Sequence, residues 1–476
     1  MSKIIRVRYA FYAIVLMATW LVKDHPFFWD TVQLGSKQAH FFYENGFSSF
    51  ILPVEIDSGH PPFFGAYLAL MWQLFGKTLA VSHFAMLPFL LGNVYLLSKM
   101  AEWLRPDHRP SWLLLFAFAD PVLASQSILV SPDIALVFFF LLGLCGILKN
   151  RKWQVVAGAT GLALISTRGM MAAFVLGLFS LPAISRSTPP VFYLRQMVNR
   201  LVLFLPAALA GGGFLLYHYL STGWIGYHEA STWAPSFERT DFAGFLRNSA
   251  ILGWRMLDFG RVSIWLAVAW LCYKRLSARG PAPAFDPAEW RLLKLLGLLA
   301  LCLLPLMALY KGLSAHRYLL PIFLVLTFFF VKILPKEKSA WNKLSALVLA
   351  GLLSGNFWVY PKNIAMGWDA TLAHLPWYSL QKEMIQRIGE KGIALSQAGT
   401  AFPGIGPREI IELNGNQDGF KSKELDRDCF ILYSNVMNDF TDEEIATLEK
   451  NWEAIEKLEK GAVCMILYKN PTPCEN

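Results

Sequence analysis

Five short segments of this chain hold residue types that could do chemistry, and each stands beside aromatic or strongly apolar sequence. They are Phe28-Trp29-Asp30, Glu55-Ile56-Asp57-Ser58-Gly59-His60-Pro61-Pro62, Ser131-Pro132-Asp133, the turn at Arg168, and His316-Arg317-Tyr318. A long polar segment, 221–260, adds His228, Glu229 and Asp241, with Trp254-Arg255 and Asp258 close to the next apolar run. Acids and cations gathered at a membrane surface suit the removal of a group from a lipid phosphate. The acceptor hydroxyl needs a base, and a positioned carboxylate contributes about 10²–10⁴-fold. The departing phosphate needs its charge stabilised, which arginine does through paired hydrogen bonds in a poorly hydrated site. Most of these residues also have a plainer use. Asp133 after Ser-Pro can cap its helix, Arg317 can hold its charge at the interface with its stem in lipid, and His60-Pro61-Pro62 can simply turn the chain. Arg168, His228 and Glu229 can be solvated loop residues. Asp30, inside an aromatic segment near the membrane, has the least structural excuse.

The elements that must position these residues follow from composition. The chain has 476 residues, 55% hydrophobic and 16% charged, with 17 Trp and a mean hydropathy of +0.40. Soluble domains carry about a quarter charged residues, so disorder, collagen and a conventional cytosolic enzyme are excluded. The net charge of +9 is dispersed between apolar runs, which makes it an orientation signal rather than a nucleic-acid surface. Apolar stretches fall at 9–22, 62–76, 79–98, 112–130, 134–148, 153–167, 169–185, 201–220, 261–277, 292–310, 318–334 and 343–360. The start, with Lys3, Arg6 and Arg8, is like a signal peptide, but Trp20-Leu21-Val22-Lys23-Asp24 offers no small-residue cleavage site. It reads as a retained first span that begins in the cytoplasm.

If all twelve stretches crossed, the loops holding Lys99, Arg105 and Arg109, then Lys149-Asn150-Arg151-Lys152, then Arg186, Arg195 and Arg200 would lie outside. The positive-inside rule opposes that. Assigning the short run 62–76 to a helix along the outer surface puts them inside, together with Lys274, Arg275, Arg279, Arg291, Lys332, Lys336, Lys338 and Lys343. The expectation is an α-helical polytopic membrane protein of about eleven transmembrane helices plus an outer juxtamembrane helix. Its membrane domain covers 1–360, with a first outer loop at 23–78, and all five chemical segments face outward.

From 361 to 476 the charge density rises. Asp442-Glu443-Glu444 followed by Leu448, Trp452, Ile455 and Leu458 has helical spacing, while 429–433 and 462–468 read as short buried strands. A small C-terminal α/β extracytoplasmic domain is expected. Cys145, Cys272 and Cys302 lie in apolar runs, whereas Cys429, Cys464 and Cys474 do not, so a Cys429–Cys464 bridge is one option in an oxidising compartment. There is no Gly-rich phosphate loop and no useful internal repeat.

An acid after aromatics, His-Pro-Pro opening a surface helix, an acid at the start of a later span and His316-Arg317-Tyr318-Leu319-Leu320-Pro321 together resemble the GT-C glycosyltransferases. The branch is that of the protein O-mannosyltransferases and lipid A aminoarabinose transferases. The resemblance covers about residues 1–335 and is strongest over 24–145. It implies an inner-membrane enzyme that takes a sugar from a polyprenyl phosphate, a membrane lipid, and passes it to lipid A, another envelope glycan or a protein, with no nucleic acid involved. Asp30 and Asp133 would be the catalytic acids, and Arg168, His316, Arg317 and Tyr318 would hold the donor phosphate. Glu55, Asp57, His60 and His228 would shape the acceptor side. Relatives often carry Asp-Glu where this chain has Asp30-Thr31, so Glu55 or Asp57 could share the base role. Some relatives use a divalent cation, for which Glu55, Asp57, His60 and His316 have suitable chemistry. Two other classes stay open: a transporter, which calls for charges deep in spans and broken helices, and a noncatalytic assembly protein that binds through its tail.

Overall fold

The structure is a computed structural model that describes the chain except residues 1–2, 105–110, 184–188, 232–233, 278–284, 336–337, 365–366, 438 and 472–476. Arg105, Arg109, Arg186, Arg279, Lys336 and Cys474 therefore lie outside the described residues. Up to residue 357 the described chain is helical. Among the described residues, four helices are long and apolar enough to cross a membrane: Leu79–Leu104, Pro190–Thr222, Pro287–Ala308 and His316–Ile333. Two further pairs, Pro121–Ser127 with Pro132–Leu148 and Phe242–Leu257 with Val262–Ser277, are bent by 115° and 84° and raise the number to six if each is one span. Helix Leu320–Ile333 forms the centre, with Ile322 through Val331 buried, while Leu16, Leu21 and Leu301 on other helices point outward. Apolar side chains on the outer faces of such helices are what lipid solvates.

Three expectations change. The apolar run 112–130 is two helices, Ser111–Ala119 and Pro121–Ser127, because Asp120 caps the second by accepting from the backbone N–H of Val122 at 2.9 Å and Pro121 opens it. The outer loop 23–78 is largely structured: a π-helical turn Val32–Lys37, helix Gln38–Glu44 and helix Phe63–Phe75. The last two cross so closely that a Cβ on Gly65 would lie 2.4 Å from that of Gln38. Much of the later part of 221–260 is helix Phe242–Leu257, whose cap Asp241 accepts from Gly244 N–H at 2.8 Å.

The tail carries a six-stranded sheet of β1 Ala398–Thr400, β2 Gly406–Pro407, β3 Gly419–Ser422, β4 Phe430–Ser434, β5 Glu453–Lys460 and β6 Val463–Lys469. Its order is β2-β3-β1-β4-β6-β5, with β1 parallel to both β3 and β4. The helical spacing that begins at Asp442 ends at Asn451, Trp452 caps that helix, and Glu453 to Lys460 continue as strand instead. Gly461, at φ +60, turns Lys460 onto Val463, and pairing along apolar β6 overrides the local period. The Cys429–Cys464 option fails. Cys464 is a free thiol and Cys429 is bonded elsewhere. Register explains why: Cys429 sits opposite Asn470, whose N–H it accepts at 2.9 Å, and Cys464 is six residues, about 20 Å, away along β6, beyond disulfide reach.

The tail docks on the first loop. Phe27 N–H donates to the Ile411 carbonyl at 2.9 Å, the Ser36 hydroxyl to that of Ile410, and Glu409 takes Lys77. Phe28 stacks on His374 with ring centroids 4.6 Å apart. This docking carries Trp368-Asp369 to the place where Asp30 lies.

Candidate active site

Asp30 follows Trp29, which adopts a left-handed φ of 55° that non-glycine residues seldom take. Thr31 ties the turn. Its hydroxyl accepts from Phe28 N–H at 2.9 Å and donates to the Phe28 carbonyl at 2.7 Å, so Thr31 is a backbone clamp. Arg317 sits in the 3-10 turn His316–Leu319 that opens the central helix. Its guanidinium bonds Asp30 through Nη2 and Asp369 through Nη1, and its Nε is 3.4 Å from Asp133 Oδ2. Asp133, at the start of helix Pro132–Leu148, also accepts from Arg168 Nη1 at 2.7 Å. The Arg168 guanidinium lies 3.9 Å above the Tyr318 ring, and Tyr318 OH is 3.3 Å from Arg317 Nη2. Three carboxylates against two guanidiniums leave one formal negative charge in the cluster.

Two cavities meet here. An apolar one of about 240 Å³ is walled by Met171, Leu303, Leu306 and Met307 and reaches Arg168, His60 and Tyr318. A polar one of about 360 Å³ holds Asp30, Lys37, Arg255, Arg317, Asp369 and Asp439 beside Trp29 and Phe402. Tyr318 and Ser236 border both. Burial pushes the Asp30 carboxyl above its usual range, against the pull of Arg317 and with the help of Asp369 and Asp133. Burial holds the His60 imidazole down at about 4, with Arg168 acting in the same direction, so it is neutral near pH 7 and faces the Thr167 hydroxyl through Nδ1 at 3.0 Å. Lys37 has no ion-pair partner among the described residues, and burial draws its ammonium below the ordinary lysine range.

His316 is turned away from this cluster. Its Nε2 is 2.7 Å from Asp258 Oδ2, which also accepts from the Tyr360 hydroxyl, itself taken by Arg255. Arg261 stands 3.6 Å from Asp258 and 3.7 Å from Asp120. This buried set pins the bend between Phe242–Leu257 and Val262–Ser277 to the residue before Arg317.

Of the residues expected from sequence, the structure thus brings together Asp30, Asp133, Arg168, Arg317 and Tyr318, with His60 on the apolar cavity and His316 on the polar one but committed to Asp258. Glu55, Asp57 and His228 line neither cavity. Asp57 is a buried clasp: Oδ2 meets His218 Nε2 at 2.9 Å and Oδ1 accepts from Gly59 N–H at 2.8 Å. Glu55 and His228 are exposed, and His228 Nδ1 accepts from Ala230 N–H at 3.1 Å. Glu55, Asp57, His60 and His316 do not converge, and among the described residues no three His, Cys, Asp or Glu side chains could hold a metal. Sequence reasoning missed Asp369, Lys37 and Tyr360. The signal for Asp369 was available, since Trp368-Asp369 repeats Trp29-Asp30.

No protein-family model and no curated protein matches the chain. Among solved structures it is similar to ArnT from Cupriavidus metallidurans bound to undecaprenyl phosphate, with a TM-score of 0.48, 15% identity, and coverage of 71% of this chain and 61% of that one. It is also similar to the arabinofuranosyltransferase AftD from Mycobacteria, with a TM-score of 0.49, 14% identity, and coverage of 100% of this chain and 40% of that one. The chain therefore spans less than two thirds of the length of either structure.

Proposed function

We propose that this chain is a GT-C glycosyltransferase that moves a monosaccharide from a polyprenyl phosphate to an extracytoplasmic acceptor. The observation that carries the reading is the meeting of Asp30, Asp133, Asp369, Arg168 and Arg317 where an apolar cavity adjoins a polar one. The first isoprene units of the donor occupy the apolar cavity, and its phosphate lies against Arg168 and the Tyr318 hydroxyl. The acceptor enters the polar cavity, where Lys37 and Arg255 contact it. In the transfer the acceptor oxygen attacks the sugar's anomeric carbon and the carbon–phosphate oxygen bond breaks on the opposite face, with inversion. The acceptor's proton passes to Asp30, and the negative charge that grows on the phosphate is met by Arg168 in a water-poor site, where such stabilisation is strongest. Arg317 holds Asp30 and Asp369 in place and is a positioning residue, as is His316 through Asp258.

In this reading residues 1–360 form the membrane domain in the inner membrane, with about eleven crossings and a cytoplasmic amino terminus. Residues 361–476 form an extracytoplasmic domain that completes the site with Asp369. Lipid A, another envelope glycan and protein are the acceptor classes. The test is the purified protein in detergent with a panel of polyprenyl-phosphate sugars and these acceptors, scored for released polyprenyl phosphate. Turnover that vanishes in Asp30→Asn supports the proposal, and absence of turnover with every pair defeats it. One observation favours a transporter instead: buried Asp120, Arg261 and Asp258 stand at bends between helices. Detergent turnover separates the two, because transport needs two compartments.

A further inference from the structure

From Asp30 to Glu44 the first loop is one continuous helical stretch, of which Val32–Lys37 is π-helical, a form that occurs frequently at functional sites. Asp30, Gln33 and Lys37 stand at i, i+3 and i+7, which puts them on one face, and all three line the polar cavity. Two turns of helix separate the first from the last, about 10 Å at 1.5 Å per residue. The carboxylate that takes the acceptor's proton and the Lys37 ammonium therefore mark the two ends of one wall, with the Gln33 amide between them.

The cations of this cavity are not equivalent. Arg317 holds Asp30 and Asp369, and Arg255 donates to the Tyr360 hydroxyl and lies 3.8 Å from Asp258. The Lys37 ammonium makes no hydrogen bond or ion pair among the described residues, and burial alone lowers its pKa, with no carboxylate acting on it. An ammonium that has given up water without gaining an anion is costly. Gln33 is 9% exposed and its Oε1 also lacks a partner, which is uncommon for a buried amide. The volume of about 360 Å³ is that of a small-ligand site, and Trp29 and Phe402, with ring centroids 5.8 Å apart, form its aromatic side. Asp30, Asp369 and Asp439 already share the cavity, so Lys37 can balance one added negative charge, while a second would face those carboxylates unpaired.

We propose that Lys37 selects an acceptor sugar that carries a single negative charge, either a carboxylate or a phosphodiester. The ammonium pairs with that charge, the Gln33 amide one turn earlier meets a hydroxyl, and the accepting hydroxyl points along the helix face to Asp30. The inference rests on the transfer reading and narrows its acceptor to an acidic glycan. Lys37 is then a specificity-determining residue rather than a catalytic one.

Saturation-transfer NMR on the full chain in phosphatidylcholine nanodiscs, free of sugar-headed detergent, reads the binding of methyl glucuronide, glucose 6-(methyl phosphate), methyl glucoside and glucose 6-phosphate. At least one of the two monoanions is expected to bind about tenfold more tightly than methyl glucoside, the order that one charge-assisted hydrogen bond gives, and more tightly than the dianionic glucose 6-phosphate. Whichever monoanion leads identifies the charge as carboxylate or phosphodiester. The preference is lost in Lys37→Met and kept in Lys37→Arg, which preserves charge and guards against misfolding as the cause. Equal binding of methyl glucoside and both monoanions, no binding of either monoanion at millimolar concentration, tightest binding of glucose 6-phosphate, or an undiminished preference in Lys37→Met would overturn the proposal. No donor takes part in this measurement, so each of those results defeats the acceptor assignment while the transfer reading stands or falls on turnover.

Discussion

Asp369→Asn separates the roles of the two acids that share Arg317. Asp369 and Asp30 bond opposite ends of the same guanidinium, so their carboxylates are roughly 6 Å apart, one guanidinium fork with a hydrogen bond on each side. At an effective dielectric of about 20, two like charges at that distance interact by about 2.8 kcal/mol. Asp369 raises the Asp30 pKa, so its neutralisation lowers that pKa and frees Arg317 to pull it lower still. Transfer requires Asp30 deprotonated, hence the acid limb of the kcat/KM–pH profile moves to lower pH. Turnover above the limb falls about tenfold because a weaker base accepts the proton. The assay is release of polyprenyl phosphate between pH 4 and 9 with the unaltered chain as reference. An unmoved acid limb would refute the electrostatic argument. Loss of activity as complete as in Asp30→Asn would make Asp369 the base and Asp30 its support.

Other outcomes follow from the same geometry. Arg168→Ala should reduce kcat by about 10²–10³-fold, the usual cost of one charge-stabilising donor, and Arg168→Lys should recover only part of it because the stacked, forked geometry over Tyr318 is lost; steady-state kinetics on one donor reads both. Asp57→Ala leaves the buried His218 Nε2 and Gly59 N–H without their partner, a loss of about 1–3 kcal/mol, seen as a lower midpoint in thermal unfolding while the active-site residues stay unaltered. Glu409 is held below its usual pKa against the opposing effect of burial, by Lys77 first and then Gly415 N–H and His40. Its contribution to docking of the tail is therefore complete above about pH 4.5 and is lost as pH falls through the depressed value. Limited proteolysis of the tail should accelerate only in that acid range, and Glu409→Gln should accelerate it at neutral pH.

Much of the site could be read in the sequence because carboxylates beside a membrane are costly and stand out. Asp30 after Phe28-Trp29, Asp133 after Ser131-Pro132 and Arg317 between His316 and Tyr318 drew attention for that reason, and they meet. Asp369 did not, since in a charged tail an acid looks ordinary until docking buries it. Asp57 and His316 had the right chemistry but were each taken by one buried partner, a choice set by packing rather than by spacing. The break at Asp120-Pro121 was written in the run 112–130 as a cap followed by proline, but the apolar count on either side hid it. Beyond Asn451 the helical period of Trp452, Ile455 and Leu458 was genuine locally and lost to pairing with β6.

The central claim is best tested by a cryo-electron microscopy structure of the protein with a polyprenyl phosphate. The account expects density for the phosphate within hydrogen-bond distance of Arg168 and the Tyr318 hydroxyl, and for the first isoprene units beside Leu303, Leu306 and Met307. A phosphate seated instead on Lys37 in the polar cavity, or a lipid bound outside both cavities, would contradict it.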